Sequence, residues 1–553
     1  MEENNTEWKT LGMKQIWLVC FCGIFISTWC YAQNNAVEKW GTWATWGDTG
    51  NGTYQNPILP ADFADIDCIR VGTEYYAISS TNQFSPGMVI ITSKDLVNWK
   101  IAGHAIDDLT QISPAMSWQR MDRYGKGVWA GSIRYHKGKF YVVFGTPDEG
   151  YFITYATNPD GKWSPLTPLL SEPGWDDCSM LWDDDGKVYF VGTQFSDGKT
   201  HVYRTYLFRM SDNGMKIDRS STLLVNEGSG REANKLIKKD GMYYLIYSRH
   251  MEGIGRYITA KRSTSIFGKW SEEKQLALTS SEANSPNQGG IVQIPNGEWY
   301  FLTHHGKGDW EGRAASLLPV TWIEGWPIIG KVLPEKLGTM SWGGKKPIQV
   351  ESDYTIQKSD EFDRAILGPQ WEWNYQPRKD KWSLSQHKGW LRLSAFRPLE
   401  QDHLAKAGNT LTQRTFRTAM SEVVVKMDLR GMADGQKAGL SHFGFPDYSA
   451  IGITCLHKIH SLELDVKGKF TMGATVQESV IWLKSTWGTD GISQYSYSLD
   501  GKIFVLFGPP YQMKWGSYRG DRIGIYCYNN LSDSGYVDVD FLNYTIKRYA
   551  VSN

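Results

Sequence analysis

The sequence predicts an all-β protein: a five-bladed β-propeller over residues 50–330, followed by a β-sandwich over residues 356–550. Three observations predict it. A turn glycine followed by an alternating aromatic strand recurs five times between residues 50 and 330. Long amphipathic helical stretches are almost lacking over the same span. After Ile329 the texture changes, first to Gly- and Pro-rich sequence and then to long alternating strands.

The N-terminus reads as an address. Lys14 precedes an apolar run from Ile16 to Ile26, and Cys30-Tyr31-Ala32 ends on a small residue that suits signal peptidase. The run is too short to cross a bilayer, so residues 1–32 read as a secretory signal and not as a transmembrane span. The expectation is export to the periplasm, or to the cell surface if Cys30 is lipidated; Trp29 ahead of it fits a lipid-acceptor site badly. Cys20, Cys22 and Cys30 belong to this segment. The other four cysteines, Cys68, Cys178, Cys455 and Cys527, sit in apolar strand-like surroundings without CxxC spacing, and read as buried free thiols.

The repeat carries the propeller. It reads Gly72-Thr73-Glu74-Tyr75-Tyr76, Gly138-Lys139-Phe140-Tyr141, Gly186-Lys187-Val188-Tyr189, Gly241-Met242-Tyr243-Tyr244 and Gly297-Glu298-Trp299-Tyr300. Turn formers precede several of these glycines, so each instance reads as a hairpin. A period of roughly fifty to sixty-five residues suits one four-stranded blade per repeat. A weaker echo supports it: Asp95-Leu96-Val97-Asn98-Trp99, Asp160-Gly161-Lys162-Trp163 and Phe267-Gly268-Lys269-Trp270 each follow a strand-like run. Residues 331–355, with Pro334, Gly338, Gly343, Gly344 and Pro347, read as a linker. Alternating strands such as Ser421–Met427, Ser461–Val466 and Tyr536–Phe541 then suit an antiparallel sandwich.

Composition narrows the function. Lys+Arg and Asp+Glu balance at 59 each, so no global field favours nucleic acid or anionic lipid. The 25 Trp and 29 Tyr suit aromatic strands, and equally suit stacking on the apolar faces of sugar rings. A propeller aims inner-strand side chains from several blades at one central point. Three carboxylates sit near inner-strand starts of different blades: Asp65 in Asn56-Pro57-Ile58-Leu59-Pro60-Ala61-Asp62-Phe63-Ala64-Asp65, Asp177 in Gly174-Trp175-Asp176-Asp177-Cys178-Ser179, and Glu232 in Gly230-Arg231-Glu232-Ala233-Asn234-Lys235. Asp62 and Asp67 are the fallbacks for the first.

These segments resemble the family 43 glycoside hydrolases. The likeness extends to Ser93-Lys94-Asp95-Leu96-Val97-Asn98-Trp99, to Trp129-Ala130, and to Gly312-Arg313 running into Leu317-Leu318-Pro319-Val320-Thr321-Trp322. The C-terminal half, through Asp360-Glu361-Phe362-Asp363, Trp382-Ser383-Leu384 and Arg522-Ile523-Gly524-Ile525-Tyr526, resembles the concanavalin A-like sandwich of xylosidase-type members. The resemblance implies hydrolysis with inversion and no cofactor for catalysis. Asp65 would be the general base. Glu232 would be the general acid, protonated near neutral pH, with Asp177 orienting it and raising its pKa. Inversion implies that Asp65 and Glu232 stand roughly 6.5–9.5 Å apart.

Further site residues follow from the same resemblance and from strand alternation. Arg313 is a donor to sugar hydroxyls beside the acid, Phe84 and Trp129 are stacking faces, and of His304 and His305 one faces the pocket, with His304 the choice. Asp360, Glu361 and Asp540 are candidate ligands for a structural Ca²⁺ in the sandwich. Two departures stand out. Trp129-Ala130-Gly131-Ser132 lacks the Asp that many members carry there, and Asn287-Gln288-Gly289-Gly290 replaces an axial His, which argues against an axial metal. The implied substrate is a plant cell-wall oligosaccharide or polysaccharide containing arabinose or xylose. The expected activity is exo-acting α-L-arabinofuranosidase, with β-xylosidase as the alternative within the family and a non-catalytic glycan-binding protein as the alternative of another class.

Overall fold

The computed structural model describes residues 46–251, 255–278, 286–305 and 309–547. The expected signal segment 1–32 lies outside the described residues. Five four-stranded antiparallel sheets follow one another along the chain. Their first strands are Asp67–Val71, Gly131–His136, Trp175–Trp182, Glu232–Lys239 and Pro286–Gln293. Each of these strands neighbours the next, and the fifth neighbours the first, so the sheets are blades around a closed ring of inner strands.

The repeating glycine occupies one place in every blade, the turn between the first and second strand. Gly72, Gly138, Gly186, Gly241 and Gly297 all have positive φ, from 64° to 93°. That is the left-handed region, which L-residues with a Cβ enter only at a cost. The tryptophan echo marks a second common device. The indole N–H of Trp99 donates to Leu96 O, that of Trp163 to Pro159 O and that of Trp270 to Ile266 O, each closing the turn before the fourth strand.

Neighbouring inner strands are tied at equivalent positions. Asp67 Oδ2 accepts the N–H of Ile133, Ser132 Oγ that of Met180, and Ser179 Oγ that of Leu236. Between the fifth and first blades the contact is backbone to backbone: a Cβ on Gly290 would lie 2.1 Å from Cys68 N. The segment before the first blade latches onto the fifth, with Leu59 bridging Ala315 and Asn56 exchanging hydrogen bonds with Leu317.

Two eight-stranded sheets make the sandwich, and one of them ends on a propeller segment: Phe84–Ser85 pairs with Glu372–Asn374. Residues 331–355, read as a linker, carry short strands, of which Gly343–Lys345 pairs with Thr53–Gln55. A single apolar cluster runs from Phe63, Trp99 and Ile101 of the propeller into Leu411, Leu440 and Ile525 of the sandwich. Buried arginines of the sandwich cross the same boundary. Arg414 donates to Asp62 O and Glu372, Arg417 pairs with Glu311 and Asp309, and Arg519 pairs with Asp62. Cys68, Cys178, Cys455 and Cys527 are buried free thiols. No helix among the described residues is long and apolar enough to cross a membrane.

Candidate active site

Successive side chains of a regular strand point to opposite faces. At the pocket end of three inner strands that rule is broken by register shifts, between Asp176 and Ser179, Glu232 and Lys235, and Pro286 and Gly289. A bulge inserts an extra residue and re-aims its neighbours. Asp177 takes φ 47° and Ala233 φ 66° to do so. Adjacent residues therefore line one cavity of about 300 Å³ together: Asp176 with Asp177, Glu232 with Ala233, and Asn287 with Gln288. Asp65, two residues before the first inner strand and also left-handed at φ 55°, lines the same cavity. Strain of this kind clusters where function needs it.

Asp65 is held by donors on every side. Arg313 grips it with both terminal nitrogens, Nη1 to Oδ1 at 2.9 Å and Nη2 to Oδ2 at 3.1 Å. The Ser80 hydroxyl donates to Oδ2, and Arg519 Nη2 lies 3.7 Å from it. Burial pushes the Asp65 carboxyl up, but Arg313, Arg519 and the Ser80 hydroxyl outweigh it and hold it well below the usual carboxylate range. His304 stands behind. Burial pushes its imidazole well below the usual histidine range, and the neutral Nδ1 accepts the N–H of Asp65 at 2.5 Å.

Across the cavity the balance reverses. Asp177 is pushed up to about 7, first by burial and then by the charge of Glu232. Asp176 is pushed well above the carboxylate range by burial and by Asp177. Asn234 fixes the strand by donating to Asp177 O at 2.9 Å and Thr193 Oγ1 at 2.6 Å. Glu232 is held by Arg256, whose Nη2 lies 2.6 Å from Oε1. One wall thus keeps a carboxylate ionised while the other keeps a proton near neutral pH. Such a pocket can take a proton from one group and give one to another.

Trp129 and Phe195 stand on the rim with ring centroids 5.8 Å apart, and Tyr518 of the sandwich, 68% exposed, completes the wall. Phe84, expected as a stacking face, is fully buried between propeller and sandwich, with the Arg522 guanidinium 3.9 Å from its ring centre. Its short strand is claimed by the sandwich sheet, which removes it from the pocket. Arg313 lines the cavity but grips Asp65; the cation beside Glu232 is Arg256. His304 was expected to face the pocket, yet it is fully buried and acts on Asp65 from behind.

The sandwich carboxylates do not fit a Ca²⁺. Asp360 spends Oδ1 on Phe362 N–H and Oδ2 on Gly368 N–H and the Trp371 indole, while Asp540 pairs with Lys426 at 2.7 Å. Glu361 is exposed, and no cluster of three or more metal-ligating side chains occurs among the described residues. Oxygens already satisfied by protein donors have little left for a hard cation. Arg519, Tyr518, Arg256 and Asp176 escape a reading of the sequence. The first two lie far along the chain from the propeller, and strict alternation would send Asp176 away from Asp177.

The family model for Glycosyl hydrolases family 43 matches residues 54–327, and that for the beta xylosidase C-terminal concanavalin A-like domain matches 359–545. A beta-xylosidase of Formosa agariphila is 32% identical over 545 residues, covering 90% of this chain and 91% of that protein. The chain is a family 43 glycoside hydrolase. Other relatives of this hydrolase include a putative beta-xylosidase of Xylanibacter ruminicola, 33% identical over 87% of each chain. A non-reducing end alpha-L-arabinofuranosidase of Bacteroides ovatus is 29% identical over 64% of this chain and 67% of that one. The crystal structure of the GH43 protein BlXynB of Bacillus licheniformis superposes with a TM-score of 0.75 at 26% identity, covering 90% of this chain and all of that one.

Proposed function

We propose that this glycoside hydrolase is an exo-acting β-xylosidase that works with inversion. Asp65 takes a proton from a water molecule whose oxygen attacks the anomeric carbon. The bond to the leaving oxygen breaks, and Glu232 gives that oxygen a proton. Asp177 orients Glu232 and shares with it the proton that the pair retains near neutral pH, while Arg256 holds the Glu232 carboxyl group from the other side. The observation that carries the reading is the opposed electrostatics of one cavity: Asp65 fixed in its ionised form by Arg313, Arg519 and Ser80, facing a buried carboxyl that retains a proton near pH 7.

The choice of sugar moves from arabinofuranoside, expected from the sequence, to xyloside. The relatives matched over most of both chains are named xylosidases, whereas the arabinofuranosidase matches over a shorter stretch at lower identity. The substrate class is a xylose-containing plant glycan. The test is hydrolysis of 4-nitrophenyl β-D-xylopyranoside and 4-nitrophenyl α-L-arabinofuranoside by wild type, Asp65→Asn and Glu232→Ala. The xyloside is expected to be preferred at least about tenfold in kcat/KM, α-xylose to form first, and Asp65→Asn to abolish turnover. Glu232→Ala costs less here, because 4-nitrophenolate leaves without protonation. Preference for the arabinofuranoside would reverse the assignment of sugar, and a folded wild type inert on both would replace catalysis by glycan binding.

A further inference from the structure

Beside the three carboxylates assigned above stands a fourth, Asp176, which the reaction as written does not use. It lines the same cavity as Asp65, Asp177 and Glu232. Only the bulge at the start of its strand puts it there, since without the register shift between Asp176 and Ser179 it would face away from Asp177. The backbone is clamped in that position by the Tyr151 hydroxyl, which donates to Asp176 O at 2.7 Å. The neighbouring strand leaves room for the side chain at Gly145, where a Cβ would lie 3.2 Å from Asp176 Oδ1.

That oxygen is the telling atom. Oδ1 of Asp176 is buried and has no hydrogen-bond partner among the described residues. A buried polar atom left unsatisfied carries an uncompensated desolvation cost, so one kept at a pocket wall calls for a partner. In a pocket that takes a sugar, the missing partner is a sugar hydroxyl. We propose that Asp176 recognises the terminal pentose, its carboxyl hydrogen-bonding one ring hydroxyl and so helping to select the sugar. The inference rests on the reading of this cavity as the sugar pocket. Burial and the adjacent Asp177 keep the Asp176 carboxyl neutral, and a neutral carboxyl, like a hydroxyl, both donates and accepts. Asp176 enters no covalent step.

The experiment compares wild type, Asp176→Ala, Asp176→Leu and Asp176→Asn by kcat and KM on 4-nitrophenyl β-D-xylopyranoside, by the inhibition constant of D-xylose, and by thermal unfolding. Loss of one hydrogen bond to the sugar raises KM and the xylose inhibition constant about tenfold in Asp176→Ala. Asn, which still donates and accepts, restores most of it. Leu keeps the volume and carries the test if Ala disturbs packing. Repeating the measurement with 2-deoxy, 3-deoxy and 4-deoxy xylosides locates the contact, because the Asp176→Ala penalty disappears on the one substrate that lacks the bonded hydroxyl. Wild-type KM and inhibition constants in the folded Ala and Leu variants, or an equal penalty on every deoxy substrate, overturn the proposal. Failure of the underlying reading looks different: Asp65→Asn would then remain active. An inactive Asp65→Asn beside a normal Asp176→Leu removes this proposal alone.

Discussion

Asp65 and Asp177 are the same residue type in one cavity, and their surroundings drive them apart. Burial favours the neutral acid at both. At Asp65 two arginines and a hydroxyl overcome it; at Asp177 the second-largest influence is another negative charge, which adds to it. The consequence for stability has opposite signs. The folded value at Asp177, about 7, lies above the ordinary 3.8, so its contribution is fully present below about pH 4 and is lost as the pH rises towards 7. The depressed value at Asp65 gives a contribution present above the ordinary 3.8 and lost as the pH falls below it through the depressed folded value. Asp177→Asn cannot ionise. It is expected to unfold about 2–4 °C above wild type at pH 8, to show no advantage at pH 4, and to lose most activity at either pH. Scanning calorimetry at the two values checks this, and an unchanged difference between them would refute the sign.

At the scale of elements, the propeller depends on two kinds of glycine that differ in cost. Gly138 turns an inner hairpin at φ 79°, and nothing lies within 4 Å of where its Cβ would be. Alanine there pays only for the left-handed backbone, about 1 kcal/mol. Gly290 is the reverse case, needed for the approach of a neighbouring blade, because its Cβ would meet Cys68 N at 2.1 Å. Gly290→Ala is expected to lower the urea midpoint several times more than Gly138→Ala, since the ring must open to admit it. Equal losses at the two sites would show that the blade junction yields easily. The bulges belong to this scale too, for they convert strands that would alternate into strands that present adjacent residues to one pocket.

The whole molecule joins its halves through buried charge as well as apolar packing. Arg519 comes from the sandwich, is fully buried, and reaches Asp62, Asp65 and both Ser80 oxygens of the propeller. Replacing one partner of a buried pair leaves the other uncompensated, at about 3–5 kcal/mol. Arg519→Met is therefore expected to lower both the unfolding midpoint and kcat. Arg430→Ala, which removes the 72% exposed partner of Asp428, is expected to cost under about 1 kcal/mol. If Arg519→Met retained wild-type turnover, the sandwich would be a passenger and not a part of the site.

Sequence by itself determined the order of architecture and three of the carboxylates that line the pocket. The five turn glycines were legible because a left-handed hairpin turn demands the same residue each time it recurs. Asp65, Asp177 and Glu232 were legible because they stand near the starts of inner strands of different blades, in segments that resemble those of the family. Their settings were not. Whether a carboxyl is ionised depends on which charges are folded against it, and Arg313, Arg519 and Arg256 reach theirs from distant parts of the chain or from another strand. Phe84 and Asp360 miscarried for the same reason: their partners, the strand at Glu372–Asn374 and the donors at Gly368 and Trp371, exist only once the sandwich has closed. Local periodicity fixes which strands form and what they carry. Only tertiary structure, by bringing remote donors into a low-dielectric interior and inserting a bulge where alternation would otherwise rule, decides which side chains meet and which of them keep a proton.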